Sequence, residues 1–279
     1  MNSARSDRKA RSLDDREYAE CFDAFKKIST EWTALSDWLK DDFLPSAPDR
    51  NSVRVMSVGS GTGDFDLVLM QILAAKIPHI AYTALDPNRE HNRIFSGRYD
   101  SGPLRIDSLE IIPAAFGPDT ARGPFDIIHL THCLYYIPDR RAAIESAWRL
   151  LAPGGSLLIF HQTPLGVNEI QKAFLRRVKG DEKEMFSTLD IRNILEDLAL
   201  PYTHDLLVSD LDVTDCLREN DAGRRLLSFM LECHSEDIEP ALRGEIVAFI
   251  METCRRVDGR YFLFHPGGIF RMIKEADVS

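Results

Sequence analysis

Cysteine is scarce and scattered in this chain. Cys21, Cys133, Cys216, Cys233 and Cys254 are the five among 279 residues, and no two form a C-x-x-C pair. A zinc ribbon and a disulfide framework are therefore not expected, and the expected setting is the reducing cytoplasm. Apolar runs stop well short of the roughly 18–20 residues that cross a bilayer. The opening segment, Met1 to Lys9, lacks the apolar stretch of a secretory signal. Positive charge is also in deficit, with 34 Lys and Arg against 44 Asp and Glu, a formal net charge of −10. That is the wrong sign for a nucleic-acid surface. It suits a cationic ligand, and it also simply keeps a protein in solution. Nucleic acid, membrane and metal are thus not expected as partners. The sequence shows no internal repeat and no low-complexity segment.

What is present is enough apolar material for a sizeable core, 44% of residues, with 28% charged residues for a surface. The length suits one large α/β domain or one domain with additions. Residues 1–12 are polar and read as a loose N-terminus. Over residues 13–39, Tyr18, Cys21, Phe22, Phe25, Ile28, Trp32, Leu35, Trp38 and Leu39 recur at helical spacing. Residues 45–48 (Pro-Ser-Ala-Pro) read as a linker. Strands at 53–58, 80–85, 109–112, 125–130 and 156–160 then alternate with helices at 65–76, 90–99 and 140–151, the pattern of a parallel sheet covered on both faces. After residue 160 the alternation breaks. Helices are expected at 168–179, 188–198, 221–234 and 240–256, a strand at 202–208, and a hairpin or bent strand over 259–273.

The strand 53–58 runs into Gly59-Ser60-Gly61-Thr62-Gly63-Asp64. Glycine permits the sharp turn and the close backbone approach that a nucleotide-like ligand needs, and the helix that follows presents unsatisfied N–H groups. Gly59, Ser60, Gly61 and Gly63 are therefore candidate cofactor contacts. Asp86, closing the next strand, can accept hydrogen bonds from both ribose hydroxyls, although it could instead cap the following helix. This geometry serves NAD, FAD and S-adenosylmethionine (SAM) alike.

Two further segments discriminate. Phe125-Asp126-Ile127-Ile128 and the corner Leu150-Leu151-Ala152-Pro153-Gly154-Gly155-Ser156-Leu157 resemble the class I SAM-dependent methyltransferases. That resemblance implies a Rossmann-like seven-stranded sheet, mostly parallel with the last strand antiparallel, and SAM as the cofactor with S-adenosylhomocysteine (SAH) as its product. Ser57 stands where that class often has a carboxylate. Ser29-Thr30-Glu31, the glycine loop, Ile128 to Tyr136, and Leu211-Asp212-Val213-Thr214-Asp215-Cys216 together resemble the histamine N-methyltransferase family, over nearly the whole chain. This implies a helical substrate lid at 13–48, a SAM-binding core at 49–165, and helical additions with the last two sheet strands at 166–279.

Carried across position by position, the resemblance implies cofactor contacts at Gly59, Asp86, His91 and Thr131, and a substrate pocket of Glu31, His132, Tyr135 and Tyr136. Glu31, His132 and Tyr136 would do the catalytic work. His91 and His132 replace glutamines of the family, and Thr131 an aliphatic residue. His265 and His204 join the pocket because the family's substrate asparagine falls at Pro266 beside the first, and a pocket cysteine near the second. The two family tryptophans that box histamine fall near Val167 and Gln171. The expected reaction is therefore methyl transfer to a nitrogen of a small amine or imidazole other than histamine, by a cytoplasmic monomer. Transfer to oxygen, a non-catalytic SAM-binding role and a nicotinamide oxidoreductase are the alternatives. Each pocket residue also has an ordinary reading: Glu31 as a solvated helix residue, the tyrosines as packing, the three histidines as satisfied structural groups, and Asp212 as a helix cap.

Overall fold

The computed structural model describes residues 9–46, 50–117, 119–180, 185–218 and 220–276. Helix α1 (Asp15–Ile28) starts at a capping box, in which the Asp14 side chain accepts from Glu17 N–H and the Glu17 carboxylate accepts from Asp14 N–H. Helix α2 (Glu31–Trp38) continues through a wide helical turn, Leu39–Phe43, into the short α3 (Leu44–Ser46). The alternating region follows: β1 (Ser52–Val58), α4 (Asp64–Ala74), β2 (His79–Leu85), α5 (Arg89–Ser101), β3 (Ser108–Ile112), β4 (Phe125–Thr131), α6 (Arg140–Arg149) and β5 (Leu151–Gln162). The remainder comprises α7 (Val167–Lys179), α8 (Thr188–Asp197), β6 (Thr203–Leu207), β7 (Asp210–Asp212), α9 (Asp221–Leu231), α10 (Pro240–Thr253), β8 (Arg255–Val257), β9 (Arg260–Phe264) and β10 (Gly267–Ile273).

The chain forms two compact units that interleave in sequence. One holds residues 33–161, 187–207 and those from Gly267 on; the other holds residues up to Trp32, 162–186 and 208–266. In the sheet unit the strand order is β3-β2-β1-β4-β5-β10-β6. β1 pairs in parallel with β2 and β4, β2 with β3, and β4 with β5, while β10 runs antiparallel to β6. This is the expected seven-stranded, Rossmann-like sheet. Its central strands are largely apolar because both faces are covered: Val55, Met56, Val58, Ile128, Leu130, Leu157, Leu158 and Ile159 are all buried.

The helical unit has its own core, in which Phe25, Ile170, Phe174, Leu226, Leu227, Met230, Ile246, Ile250 and Leu263 come together. Phe25 and Phe229 have ring centroids 4.4 Å apart. A second, three-stranded sheet, β7-β9-β8, lies in this unit.

Several expectations need correction. The 259–273 segment is not one hairpin. β9 pairs with β8 and β7, while β10 joins the large sheet. The true hairpin turns at Asp258 and Gly259, both at positive φ (48° and 78°), the conformation a two-residue connection with the right twist demands. It takes residues 255 and 256 out of the helix expected at 240–256. β7 was not expected at all, being only three residues long. The Pro153-Gly154-Gly155 corner lies within β5, as an irregularity. Leu151 pairs with Phe125 and Ser156 with Ile127, so the extra residues bulge outward. A Cβ on Gly155 would lie 2.9–3.1 Å from three backbone oxygens. Residues 1–8 of the loose N-terminus and residues 47 and 48 of the linker lie outside the described residues. Residues 9–12 are held: Ala10 is buried and its N–H donates to the Val178 carbonyl, and Ser12 bridges to Cys233.

Candidate functional site

Ligands of open α/β sheets bind at the carboxyl ends of strands where the order reverses. Here that point lies between β1 and β4, since β2 and β3 extend one way from β1, and β4 and β5 the other. The glycine loop leaves β1 at this point. Gly59 and Ser60 N–H both donate to the Leu85 carbonyl (2.8 and 3.0 Å), and Gly63 N–H to the Ser60 carbonyl (3.0 Å). Gly59, Gly61 and Gly63 all have positive φ. The three glycines serve different ends. A Cβ on Gly59 would lie 2.5 Å from Cys133 Cβ, and one on Gly63 2.2 Å from the Phe95 ring, whereas Gly61 has open space above it. The first and third let the loop pack; the second leaves room for something else to approach.

Asp86 closes β2 beside this opening. One carboxylate oxygen accepts from Gly61 N–H at 2.9 Å, the other from Asn88 N–H at 2.8 Å. His91, in the first turn of α5, places Nδ1 3.7 Å from the Asp86 carboxylate. Burial acts to raise the Asp86 pKa, but the His91 ring and the two N–H donors outweigh it and hold the carboxyl below its ordinary value. The helix cap here is Asn88, whose side chain accepts from Glu90 and His91 N–H, so Asp86 is not spent on capping α5. Thr131 ends β4 one residue beyond the Val58–Leu130 pair. Gly59, Ser60, Gly61, Gly63, Asp86, His91 and Thr131 thus converge on the carboxyl ends of β1, β2 and β4.

The chain after β4 forms a second cluster in the same unit. His132 has positive φ (48°) and donates its N–H to the Phe160 carbonyl at 3.0 Å. Cys133 packs under Gly59, and burial pushes its thiol up to about 12. It is a neutral packing group at physiological pH and not a thiolate nucleophile. Tyr135 and Tyr136 meet edge to face at 4.5 Å, with Tyr136 69% exposed. Sequence reading missed the residue that joins these groups. His161, near the end of β5 and 1% exposed, lies 6.2 Å from the His132 ring and 5.3 Å from that of Tyr135. The available signal was a polar residue following directly on a buried apolar strand, at its carboxyl end. Asp66, Tyr82 and His129, polar groups inside otherwise apolar stretches, were missed as well and are buried beneath the loop.

The other expected pocket residues lie on other elements. His204 lies on the edge strand β6, stacked on Phe270 at 4.4 Å and within 3.4 Å of Arg192. Burial, together with the nearby Arg192 charge, holds its pKa below the ordinary value, so it is neutral at physiological pH. Three steps along the strand order separate β6 from β4. Glu31 and His265 belong to the helical unit. Glu31 is 6% exposed and begins α2, where the helix dipole favours an anion. The preceding residues are tied to β7: Ser29 bridges to Leu211, and Asp210 N–H donates to Thr30 Oγ1 at 2.9 Å. Two motifs 180 residues apart therefore pair directly. His265 has a structural task, its Nδ1 accepting from Val167 N–H at 3.4 Å at the start of α7. Asp212 caps a turn, accepting from Thr214 N–H at 3.1 Å.

Among the described residues no group of three or more His, Cys, Asp or Glu could hold a metal ion, and no helix is long and apolar enough to cross a membrane. A family model described as "Methyltransferase domain" matches residues 25–199. The chain belongs to this family. It is a SAM-dependent methyltransferase, and its kinship extends beyond the matched domain. It is 27% identical over 264 residues to a histamine N-methyltransferase of Danio rerio, covering 87% of this chain and 90% of the relative. It is 26% identical over 239 residues to carnosine N-methyltransferase 2 of Gallus gallus, covering 79% and 74%. Solved structures confirm the fold at much lower identity. The YcgJ protein of Bacillus subtilis gives a TM-score of 0.54 at 14% identity, covering 88% of this methyltransferase and 98% of YcgJ. The plantazolicin methyltransferase BpumL, in complex with a triazolic desmethylPZN analog and SAH, gives 0.51 at 12%, covering 93% and 90%.

Proposed function

We propose that this methyltransferase moves a methyl group from SAM to a nitrogen atom of a small acceptor, an imidazole or another amine, distinct from histamine. The observation that carries the reading is the junction after β4. There Cys133 packs against the glycine loop while His132, Tyr135 and Tyr136 gather with His161. Cofactor loop and acceptor-type side chains are thereby linked within a few residues of chain. The near full-length similarity to proteins named for histamine and carnosine N-methylation supports the same class. Pro266, at the place of the histamine family's substrate asparagine, and Val167 and Gln171, near the places of its two tryptophans, support a different acceptor.

The loop suits an adenosyl group. Gly61 has open space above a positive φ (54°), and the Asp86 carboxylate lies beside it. Gly59 to Gly63 would admit the cofactor backbone-close, Asp86 would accept from the ribose hydroxyls with His91 beside it, and Thr131 would meet its methionine portion. When bound, SAM supplies an already activated methyl group, so the protein's share is largely alignment, which contributes on the order of 7–11 kcal/mol in well-oriented reactions. Glu31 would hold the acceptor, Tyr136 would orient it, and His132 would take a proton where one must leave. A protonated alkylamine with a pKa near 10.4 costs roughly 4–5 kcal/mol to neutralise at pH 7, whereas an imidazole near 6.5 is mostly neutral already. The reading also takes the enzyme as a cytoplasmic monomer; its five free thiols suit the reducing compartment.

The test is SAH production by the full chain against panels of imidazoles, alkylamines, phenols and carboxylates, with rate followed against pH. Turnover of an imidazole reaching a plateau by about pH 7.5 supports an imidazole acceptor. A rate still rising above about pH 9 supports an alkylamine. Turnover of phenols or carboxylates alone overturns nitrogen as the acceptor, and SAM binding without SAH production overturns catalysis on this class.

A further inference from the structure

Beneath the glycine loop four side chains from three elements form a continuous buried line. Asp66, in the first turn of α4, accepts from Tyr82 Oη of β2 at 3.0 Å. Tyr82 Oη meets His129 Nε2 of β4 at 2.8 Å, and His129 Nδ1 meets Thr131 Oγ1 at 3.1 Å. Asp66, Tyr82 and His129 are each 1% exposed. The Phe65 ring covers His129 edge to face at 4.8 Å. Thr131 is half-buried and is the last residue of β4, so the line emerges at the carboxyl edge of the sheet.

His129 Nε2 also lies 3.6 Å from Asp66 Oδ1, so the order of the protons follows from the carboxylate together with the His129 tautomer. A carboxylate only accepts, so Tyr82 spends its single O–H on Asp66. Burial and the Asp66 charge raise the phenol well above its ordinary value, so that proton stays on the oxygen. Tyr82 Oη is then an acceptor toward His129, which must carry its proton on Nε2. In that single-proton tautomer His129 Nδ1 is bare and accepts from Thr131. The Thr131 hydroxyl, having spent its one proton inward, has only lone pairs for anything else it meets.

From this polarity we infer that the buried Asp66–Tyr82–His129 line is a positioning device that holds Thr131 as an obligate acceptor, so that the site discriminates the positively charged SAM from the neutral SAH. The inference rests on the reading that SAM lies at the carboxyl ends of β1 and β4. Its consequence is that product leaves a site tuned for the charged reactant.

The experiment combines two readouts on the full chain. Nitrogen-15 NMR of His129, assigned by His129→Gln, reports the tautomer without any ligand. The expected ring carries a proton on Nε2 and none on Nδ1, and a proton on Nδ1 overturns the line's polarity. Calorimetric Kd values for SAM and SAH are then compared in wild type, Thr131→Val, Thr131→Ser and Tyr82→Phe, with folding checked by circular dichroism. Loss of the acceptor in Thr131→Val is expected to weaken SAM about ten-fold and SAH less than about two-fold. Thr131→Ser restores the ratio, and Tyr82→Phe lowers it part of the way. Equal losses for SAM and SAH in Thr131→Val, or a Thr131→Ser that fails to restore the ratio, overturn this inference while leaving the cofactor reading intact. A folded wild type that binds neither ligand overturns both.

Discussion

Asp86 and Glu31 are both buried carboxylates at the mouth of a helix, and different physics holds each of them. Asp86 is fixed by N–H groups of its own turn and of the glycine loop, Asn88 two residues on and Gly61 twenty-five residues back. The elements that position it are adjacent strands of one parallel sheet, β1 and β2, in register from Ser52–His79 to Val58–Leu85. Glu31 is fixed by a tether. Ser29 and Thr30 pair with Leu211 and Asp210, so the start of α2 depends on a three-residue strand 180 residues away. The first arrangement is a property of a local motif repeated wherever a strand ends in glycines. The second exists only after β7 has formed on β9. A carboxylate held by its own turn and a neighbouring strand depends on local chemistry, while one held through a distant strand depends on long-range contacts.

The comparison can be broken most severely at the loop. Gly63→Ala places a Cβ at φ +74° and 2.2 Å from the Phe95 ring. Strain and overpacking together should cost roughly 2–5 kcal/mol, seen as a lowered midpoint in urea. Gly61→Ala shares the positive φ but meets open space, so it should cost about 1 kcal/mol while weakening SAM binding. Asp86→Ala should weaken SAM by about 1.5–3 kcal/mol, measured by calorimetry. Glu31→Gln should leave the SAM Kd unchanged and lower kcat/KM for the acceptor about ten-fold. If SAM affinity falls equally, the two carboxylates do not divide their work as described. Thr30→Val removes the Thr30 side-chain tether to Asp210. It should cost about 1 kcal/mol of stability and raise the acceptor KM, with the SAM Kd again untouched.

The smallest effect is in pH dependence. The folded Asp86 carboxyl lies below its ordinary value of 3.8, so its ionised form contributes stability that is fully present above that value. The contribution is lost as pH falls from 3.8 through the lower folded value. Asp86→Asn should therefore flatten stability against pH below about 4, measured by chemical denaturation, and Glu31→Gln serves as the comparison variant.

How much of this was legible in the sequence depended on the range of the interaction involved. The glycine loop, the place of Asp86 at the end of β2 and the strand alternation were readable because a backbone turn, a strand end and a buried strand each leave a signature within a few residues. The ends of the Asp258-Gly259 hairpin were misjudged because β8 is three exposed residues with no apolar alternation to mark it. His161 was not found because its place at the end of an apolar strand marks a polar strand end but does not say that its ring lies near His132 and Tyr135. His204 and His265 entered the expected pocket by position alone. The fold gives them a ring to stack on and a helix N–H to receive.

The sequence by itself determined the class of chemistry: a parallel sheet, a glycine turn after its first strand, an acidic residue after its second, and the family motifs that follow β4. These are set by local conformational preference and burial pattern, which neighbouring residues encode. Only the tertiary structure decided which polar groups share a site, because the Ser29–Leu211 bridge, the His132–His161 approach and the Asp66–Tyr82–His129–Thr131 line join residues with no local signal for one another. Their partners are chosen by strand register and helix packing, and those emerge only when distant segments are buried together.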